Sequence, residues 1–458
     1  MESIISLCRR RGFVFQNSEI YGGLKGVYDF GPLGIELKKN LRTSWWKAMI
    51  YDRTDMEGLE ASILSHPKVW AHSGHTDGFC DPLVECNNCK KSLREDKIVD
   101  GKCEHCGGDT FCKKRELNLM MQTQIGCLSD CKEFAYLRGE TAQSTYVNFK
   151  NILNSSFKQL PFGICQQGKS FRNEISPRNF VFRMVEFEQL EMQYFVNPKE
   201  ADRWFNYWKE KRYNWWLAQG LLKENLKFET HSEKDLSHYA KEAVDISYKF
   251  LWGLDELEGI HNRQDFDLGS HTKNQKAFDI QATVKENKES TTKLNYQDVK
   301  TGESYIPYII ETAAGGDRGF LALMTEAYNE EKLPNGETRI VLKLKSHLSP
   351  IKVAVIPLVK NNEEILKISK DILDKIQRLN LGRVSFDNTG NVGRSYRRND
   401  EIGTPLCITV DFNSLETKVV TIRDRDSMKQ IDLPIDDVEK YLEKYFKTDL
   451  SKEKQTGS

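Results

Sequence analysis

Residues 171–191 read Phe-Arg-Asn-Glu-Ile-Ser-Pro-Arg-Asn-Phe-Val-Phe-Arg-Met-Val-Glu-Phe-Glu-Gln-Leu-Glu. Aromatic and β-branched residues flank a Pro/Asn turn signal at 175–179, which predicts two antiparallel strands joined by a loop, the second strand covering 180–191. Alternation along that strand places Arg183, Phe187 and Glu191 on one face of the sheet. These side chains make a poor hydrophobic core but a suitable floor for a nucleotide, because arginine binds phosphate and the ring can stack.

An amphipathic hairpin with a charged, solvated face would give the same pattern. The first strand favours the nucleotide interpretation, because Arg172 and Glu174 repeat the same chemistry there. The hairpin is therefore the first candidate binding surface of the chain.

Three motifs carry a resemblance to a known family. Phe-Arg-x-Glu, a loop and Arg-x-x-x-Phe resemble motif 2 of the class II aminoacyl-tRNA synthetases. Ile-Glu-Thr-Ala-Ala-Gly-Gly-Asp-Arg-Gly-Phe at 310–320 resembles motif 3, a strand that runs into a helix beginning Gly-x-x-Arg. Together with Tyr-Asp-Phe-Gly-Pro-Leu-Gly at 28–34, they are similar to the motifs of the dimeric glycyl-tRNA synthetases. The resemblance extends over nearly the whole chain.

The resemblance implies an α+β fold. The class II catalytic domain would be an antiparallel β-sheet flanked by helices at 1–345, with a zinc-ribbon-like insertion at 80–112. An α/β anticodon-binding domain would follow at 346–447. Strand and helix patterns that alternate over about 100 residues independently predict a small domain there with a partly parallel sheet. The polar tail at 448–458 is expected to be disordered.

A long amphipathic helix is predicted at 33–51, after Pro32 in a first-turn position. A strand at 57–64 follows it. This order resembles motif 1, which forms the dimer interface in the family, and so implies a homodimer. An ordinary core helix would show the same periodicity. The apolar stripe consists of Leu33, Leu37, Leu41, Trp45 and Met49.

Composition limits the partners and the compartment. The 458 residues include 67 Lys and Arg against 67 Asp and Glu, so any surface for RNA must be a local basic patch. No apolar run approaches the roughly 18 residues that a membrane span needs, and the N-terminal charge order does not fit a signal peptide. The odd count of 11 cysteines favours a reducing, cytoplasmic location.

Four of the cysteines have the spacing of a metal site. Cys86 and Cys89 form one Cys-x-x-Cys pair, and Cys103 and Cys106 form a second one with glycines beside it. Two such pairs bring four thiolates into a tetrahedron, which predicts a zinc ribbon. The zinc is expected to be structural, because four thiolates leave no open position.

The resemblance implies a two-step reaction. Glycine and ATP form glycyl-adenylate, and the glycyl group then passes to the 3′ end of tRNA(Gly). The implied catalytic residues are Arg172 on the α-phosphate, Arg318 on the γ-phosphate and Glu174 on the adenine amino group. Glu256 and Glu258, also in the implied ATP site, are expected to hold Mg²⁺, which needs hard oxygen ligands. The rest of that site comprises Asn173, Phe182, Arg183, Phe187, Leu257 and Gly315.

Recognition of glycine rests on its ammonium group, because the substrate has no side chain. Glu140, Glu191 and Glu311 are expected to grip the ammonium and leave no room beside the α-carbon. Three clustered carboxylates repel one another, so without ligand they are expected to be partly protonated or bridged by water. Ala313 stands where the family usually has Ser. The other residues implied at this site are Arg94, Phe187 and Gln189.

Basic residues in the C-terminal domain are candidates for an RNA surface. They are Arg394, Arg397, Arg398, Lys418, Arg423 and Arg425. The loop histidines at 66, 72 and 75 are interpreted as ordinary structural residues.

Two other functions remain open from the sequence. One is a class II enzyme for another amino acid, such as threonine or proline. The other is a non-catalytic, synthetase-like RNA-binding or accessory subunit, although such proteins lose the motif arginines, and Arg172 and Arg318 are present here.

Overall fold

The computed structural model describes residues 1–94, 98, 100–126, 133–232, 236, 239–389 and 391–456. None of the helices in these ranges is both long and apolar enough to cross a lipid bilayer. The α-helices are α1 (Glu2–Arg11), α2 (Pro32–Trp46), α3 (Pro67–His72), α4 (His75–Gly78), α5 (Ala142–Ser156), α6 (Ala201–Ala218), α7 (Phe266–His271), α8 (Gly316–Ala327), α9 (Glu363–Arg378), α10 (Val392–Glu401), α11 (Phe412–Thr417) and α12 (Val438–Thr456).

The strands form one large sheet, one five-stranded sheet and several small ones. They are β1 (Val14–Gln16), β2 (Tyr28–Phe30), β3 (Met56–Leu59), β4 (Leu64–Ser65), β5 (Cys80–Glu85), β6 (Ser92–Arg94), β7 (Arg115–Asn118), β8 (Met121–Gln124), β9 (Phe134–Leu137), β10 (Phe162–Phe171), β11 (Glu186–Val196), β12 (Leu226–Thr230), β13 (Glu242–Phe250), β14 (Gly253–Gln264), β15 (Tyr296–Gln297), β16 (Ser304–Tyr305), β17 (Tyr308–Gly315), β18 (Tyr328–Lys332), β19 (Thr338–Leu342), β20 (Val353–Pro357), β21 (Val384–Phe386), β22 (Leu406–Val410), β23 (Val419–Asp424) and β24 (Gln430–Pro434).

The large sheet runs in the order β12-β13-β14-β17-β11-β10-β3 and is antiparallel except for the β10–β3 pair. Residues of β11 alternate between its faces. Leu190 and Met192 enter the main hydrophobic core together with residues of α2, α6 and α8. Phe187, Gln189 and Glu191 face the other side, where they line a cavity. The predicted antiparallel sheet with flanking helices is confirmed, and its open face is available for a binding site.

The five-stranded sheet has the order β21-β20-β22-β23-β24. Its first three strands are parallel and the last pairs are antiparallel. A separate hydrophobic core lies between this sheet and the helices α9 and α12. The predicted small α/β domain with a partly parallel sheet is therefore confirmed. The sequence pattern missed α11 and β24, both of which are only five or six residues long.

A buried ionic network joins the two parts of the chain. Asp400 in α10 accepts hydrogen bonds from Arg339 at 2.8 Å and from Arg423 at 2.8 and 3.1 Å. Arg425 donates to the carbonyl oxygens of Gly403 and Leu344 at 2.9 and 2.8 Å. Because their side chains are buried, the prediction that Arg423 and Arg425 belong to an RNA surface is wrong.

Four boundaries differ from the sequence prediction. The strand predicted at 57–64 is shorter, Met56–Leu59. The second strand of the hairpin begins at Glu186 rather than at 180, since Asn179 and Phe180 both have φ of 58°, which is incompatible with an extended strand. The helix predicted at 33–51 ends as an α-helix at Trp46 and continues as a π-helical turn, Lys47–Tyr51. The expected disorder from 448 is wrong as far as Thr456, because α12 continues to that residue.

Candidate active site

A cavity of about 260 Å³ lies on the open face of the large sheet, where β14, β17 and β11 run side by side. The strand register brings Glu191 and Gly259 to either side of Ala313. Most of the residues predicted for ATP and glycine therefore meet in one place. Those lining the cavity are Glu140, Arg172, Glu174, Phe182, Arg183, Phe187, Gln189, Glu191, Glu256, Glu311, Ala313, Gly315 and Arg318.

Two guanidinium groups define one side of the cavity. Arg172 lies between two aromatic rings, with its guanidinium carbon 5.2 Å from the centroid of Phe187 and 5.0 Å from that of Phe79. Its Nε donates to the carbonyl oxygen of Gly139 at 3.0 Å. The sandwich and the hydrogen bond fix the plane of a group suited to bidentate phosphate binding.

The second guanidinium belongs to Arg318, in the first turn of α8. It stacks over Phe182 at 4.4 Å and pairs with the carboxylate of Glu256 at 3.0 Å. A Cβ at Gly315 would lie 3.2 Å from the side chain of Arg318, so glycine leaves room for this side chain. The guanidinium of Arg318 lowers the pKa of Glu256, which keeps an anionic oxygen on the cavity wall.

Three carboxyl groups define the other side. Gln193 bridges two of them, donating to Glu191 at 2.7 Å and to Glu311 at 2.9 Å. Arg263, itself 1% exposed, donates to Glu311 at 2.9 Å. The third, Glu140, lies 3.3 Å from Nε2 of His75. The cluster expected from the sequence is thus formed, with a separate basic partner for two of its members.

The partners set different charges on the three carboxyls. Burial and the nearby carboxylates of Glu311 and Glu140 raise the pKa of Glu191 well above its usual range. Burial would also raise the pKa of Glu311, but Arg263 and His261 lower it well below that range. Burial would raise the pKa of Glu140, but its contact with His75 and the nearby guanidinium of Arg263 together lower it to about 2. Glu191 is therefore the member of the cluster that protonates most readily.

The prediction that Glu258 holds Mg²⁺ is wrong. Its carboxylate is fully buried on the opposite side of the sheet, where it accepts hydrogen bonds from Arg212 at 2.7 Å and Trp216 at 2.6 Å. The cause is a β-bulge in β14, where Ser247 pairs with Glu256 but Ile246 already pairs with Glu258. The extra residue, Leu257, breaks the period of two, so Glu256 faces the cavity and Glu258 does not.

Two other predicted residues, Leu257 and Asn173, do not line the cavity, and for a third, Arg94, the structure describes only the backbone. The side chain of Leu257 belongs to the main hydrophobic core, a consequence of the same bulge. Asn173 contributes its backbone N–H to the carbonyl oxygen of Leu119 at 2.9 Å, and its side chain is absent from the cavity lining. Arg94 ends β6, and its side chain lies outside the described residues.

Several cavity residues were missed by sequence reasoning. His261 and Arg263 face the cavity from β14, and alternation counted from Gly259 would have found them. Asp245 and His231, which lie 2.8 Å apart through Oδ2 and Nε2, come from the neighbouring strand and the segment after β12 and carry no motif. His75, interpreted from the sequence as an ordinary structural residue, begins α4 and contacts Glu140 at 3.3 Å.

The four predicted zinc ligands converge. All the Sγ atoms of Cys86, Cys89, Cys103 and Cys106 lie within 4.8 Å of one another, and the Cys86–Cys106 and Cys89–Cys103 distances are 3.6 and 3.8 Å. Tetrahedral zinc with Zn–S bonds of about 2.3 Å requires S···S distances of about 3.8 Å. The residues present therefore fit a structural zinc ion.

The zinc site generates a prediction. Cys103→Ser is expected to abolish stoichiometric zinc binding, because a hydroxyl replaces one of four thiolates. Cys112→Ser is the matched control, since the Cys112 thiol lies outside the cluster and donates to Asn87 at 3.0 Å. Metal content of both purified variants can be measured by mass spectrometry. One zinc per chain in both variants would contradict the assignment.

The carboxyl cluster generates a second prediction. Because its pKa is raised on folding, Glu191 contributes stability that is present below the unfolded pKa and lost as the pH rises through the folded pKa. At pH 7.5, Glu191→Gln is expected to raise the Tm by about 2 °C. Glu311→Gln should lower the Tm, because Arg263 loses a buried anionic partner. Thermal melts of the two variants check this, and equal shifts would refute it.

Two family models match the chain. Residues 126–328 match the tRNA synthetase class II core domain (G, H, P, S and T). Residues 352–445 match the anticodon binding domain, and this range lies within the five-stranded part of the structure. Among solved structures, prolyl-tRNA synthetase from Cryptosporidium parvum aligns with 99% of this chain and 77% of its own, with a TM-score of 0.61 and 16% identity. This likeness supports the class II fold.

Curated relatives are similar over almost their full lengths. The glycine–tRNA ligase of Thermus thermophilus is 47% identical, covering 98% of this chain and 99% of the relative. Those of Borreliella burgdorferi and Deinococcus radiodurans are 46% and 43% identical, covering 96% and 94% of this chain and 96% of each relative. With class II motifs meeting at one cavity and identity of this extent, the chain belongs to the glycine–tRNA ligase family of class II aminoacyl-tRNA synthetases.

Proposed function

We propose that this protein ligates glycine to the 3′ end of tRNA(Gly) through a glycyl-adenylate intermediate, using ATP. The observation that carries the proposal is one cavity that joins the guanidiniums of Arg172 and Arg318 to the carboxyl cluster of Glu140, Glu191 and Glu311. The first group suits a triphosphate, and the second suits an ammonium. Among the residues that the structure describes, no cysteine lines this cavity, which disfavours a threonine enzyme with a metal-bound substrate.

In the first step, a carboxylate oxygen of glycine attacks the α-phosphorus of ATP. The new O–P bond forms as the bond to the diphosphate leaving group breaks, so no protein nucleophile is needed. Arg172 is assigned to the α-phosphate and Arg318 to the γ-phosphate, where preorganised charge stabilises the transition state. Phe187 provides a ring for adenine, with Glu174 as acceptor of its amino group.

Mg²⁺ fits the site through Glu256. Its carboxylate is the acid of the predicted pair that faces the cavity, with an exposed fraction of 46%, and a hard oxygen donor is what this ion requires. When bound, Mg²⁺ would neutralise phosphate charge. Arg318, which pairs with Glu256 in this structure, supplies the remaining positive charge.

Glycine recognition follows from the charges of the carboxyl cluster. An ammonium entering between Glu140, Glu191 and Glu311 meets two carboxyls with lowered pKa values and one, Glu191, with a raised pKa. The cation favours ionisation of Glu191. Alanine would be rejected sterically, since a methyl group on the α-carbon has to share the space beside Ala313 and Gln189.

A charge-conserving change tests the phosphate assignment. Arg172→Lys is expected to slow glycine-dependent ATP–pyrophosphate exchange by about 100-fold, because lysine cannot bind phosphate in a bidentate, planar geometry. Arg178→Lys, in the same hairpin but outside the cavity lining, should retain the rate. Wild-type exchange with glycine must exceed that with alanine, serine or threonine. Near-normal exchange by Arg172→Lys would refute the assigned role.

The proposed tRNA surface includes the exposed side of α10. Arg394 and Arg397 line a second cavity together with Arg398 and with Arg11 from α1. Arg398 is already paired with Asp387 at 2.5 Å, whereas Arg394 is exposed at the helix start. Clustered cations of this kind bind the phosphate backbone of RNA, which supports the anticodon-binding role of the domain.

We also propose a homodimer through the motif 1 region. A group of exposed apolar side chains lies in α2 and in the segments on either side of it, which supports an interface there. They include Ile20 and Tyr21 at 87%, Leu24 at 60%, Ile35 at 47%, Tyr51 at 73% and Leu64 at 50%.

Sedimentation tests the dimer. The wild-type protein is expected to sediment with twice the mass of one chain, and the double variant Ile35→Glu/Tyr51→Glu as a monomer, because charged side chains oppose burial. Phe412→Glu, an equally exposed apolar position in the C-terminal domain at 53%, is the control and should remain dimeric. A wild-type monomer at micromolar concentration would contradict the proposal.

The cytoplasm is the proposed location. The described cysteines are free thiols, and several, such as Cys8, Cys165 and Cys407, are buried. Free buried thiols persist in a reducing compartment.

A further inference from the structure

The short segment from His75 to Phe79 lies between the zinc ribbon and the active site. It consists of α4 and the residue that precedes β5, the first ribbon strand. The end of β7 holds it from the ribbon side. The side-chain amide of Asn118 donates to the carbonyl oxygens of His75 and Thr76 at 3.2 and 2.9 Å, and the backbone N–H of Leu119 donates to that of Phe79 at 3.0 Å.

Phe79, at the C-terminal end of this segment, contacts Arg172 on the side of the cavity assigned to phosphate. The ring of Phe79 lies 5.0 Å from the guanidinium carbon of Arg172, on the other side from Phe187. The backbone next to Arg172 is held by the same element, since Asn173 N–H donates to the carbonyl oxygen of Leu119 at 2.9 Å. The orientation of the Arg172 guanidinium therefore depends on a ring outside the sheet.

His75, at the N-terminal end of the segment, contacts Glu140 on the side of the cavity assigned to glycine. Nε2 of His75 lies 3.3 Å from the carboxylate of Glu140, and Nδ1 lies 2.8 Å from Oγ of Ser73. The imidazole is 7% exposed and packs edge-on against Trp70, at 5.1 Å between ring centroids. Its two polar contacts fix the ring plane, so the N–H that meets Glu140 cannot turn away. Against the effect of burial, the contact with His75 and the guanidinium of Arg263 together lower the pKa of Glu140 to about 2.

The two ends are mechanically connected. The rings of His75 and Phe79 lie 5.2 Å apart. A Cβ at Gly139, between Arg138 and Glu140 in the chain, would lie 2.9 Å from Sδ of Met120 and 3.5 Å from Phe79, so the backbone that carries Glu140 is packed directly on this element. Arg172 also donates to the carbonyl oxygen of Gly139. The segment from His75 to Phe79 therefore contacts both Arg172, assigned to ATP, and Glu140, assigned to glycine.

We propose that His75 and Phe79 are positioning residues for the two substrates, Phe79 acting on ATP through Arg172 and His75 acting on glycine through Glu140, with the ribbon strands β5 and β7 holding both. This inference rests on the proposed function. It gives the ribbon a role in catalysis that requires no contact between the metal and a substrate.

The ATP arm is tested with Phe79→Leu and Phe79→Tyr. Leucine keeps apolar volume but removes the aromatic face, so KM for ATP in pyrophosphate exchange should rise about tenfold while KM for glycine changes less than twofold. Tyrosine restores a ring and should return KM for ATP to within about threefold of wild type. The Tm of both variants is measured alongside.

The glycine arm is tested with His75→Leu and His75→Gln. Leucine packs against Trp70 but leaves Glu140 with only the amide of Gln143, at 3.2 Å, as donor, so KM for glycine should rise about tenfold with little change in KM for ATP. Glutamine keeps an N–H donor at similar reach and should recover part of that loss. If the two residues position the substrates, the His75 variants should change KM for glycine and the Phe79 variants should change KM for ATP.

Phe111→Leu serves as the control for general loosening of the ribbon, because Phe111 packs against the ribbon core and not against the cavity. It should lower the Tm without separating the two KM values. If the Phe79 and His75 variants change both KM values equally, in proportion to the loss of Tm, the residues are only structural and the proposal fails. Wild-type protein without glycine-dependent exchange would instead refute the proposed function.

Discussion

The structure depends on one buried ammonium group, Nζ of Lys38, which lies behind the large sheet and joins three distant parts of the chain. It is 2.5 Å from Asp317 in α8 and 3.1 Å from Glu188 in β11, and Lys38 itself belongs to α2. Burial would lower the pKa of Lys38, but the carboxylates of Asp317 and Glu188 raise it. The ammonium therefore stays charged, and the cluster persists in the interior because its charges are paired.

This cluster determines which side chains reach the cavity. Because side chains alternate along a strand, the pairing of Glu188 with Lys38 directs Phe187 and Gln189 to the opposite face of the sheet. Phe187 and Gln189 line the cavity there, and Glu188 and Asp317 also reach its lining. Holding Asp317 sets the rotation of α8, so that Arg318, the next residue, turns towards the cavity. In β11, Glu188 pairs with Lys38 and its neighbour Phe187 lines the cavity. In α8, Asp317 pairs with Lys38 and its neighbour Arg318 lines the cavity. Charge paired behind the sheet supports preorganised charge in front of it, the arrangement that stabilises a transition state without reorganisation.

The sequence predicted what depends on local periodicity and spacing. Alternation placed Phe187 and Glu191 on one face, and two Cys-x-x-Cys pairs predicted the thiolate cluster, because each pattern is carried by neighbouring residues. The prediction failed at Glu258, because nothing in the residue order marks the bulge at Leu257. The bulge moves the Glu258 side chain to the opposite face of the sheet. Sequence reasoning missed His75, because the contact with Glu140 spans 65 residues and arises only when the ribbon packs against the site.

The connection between the catalytic sheet and the C-terminal domain follows from the same helix that presents Arg318. After α8, the chain forms the β18–β19 hairpin, and Arg339 of β19 is fully buried where it meets Asp400 of α10. Removing one member of such a network would leave another charge buried and unpaired, so the network resists displacement. The helix that carries Arg394 is therefore anchored, through one continuous segment, to the helix that carries Arg318. Part of this anchoring comes from Arg423, which pairs with Asp400 and which the sequence alone had suggested for RNA binding.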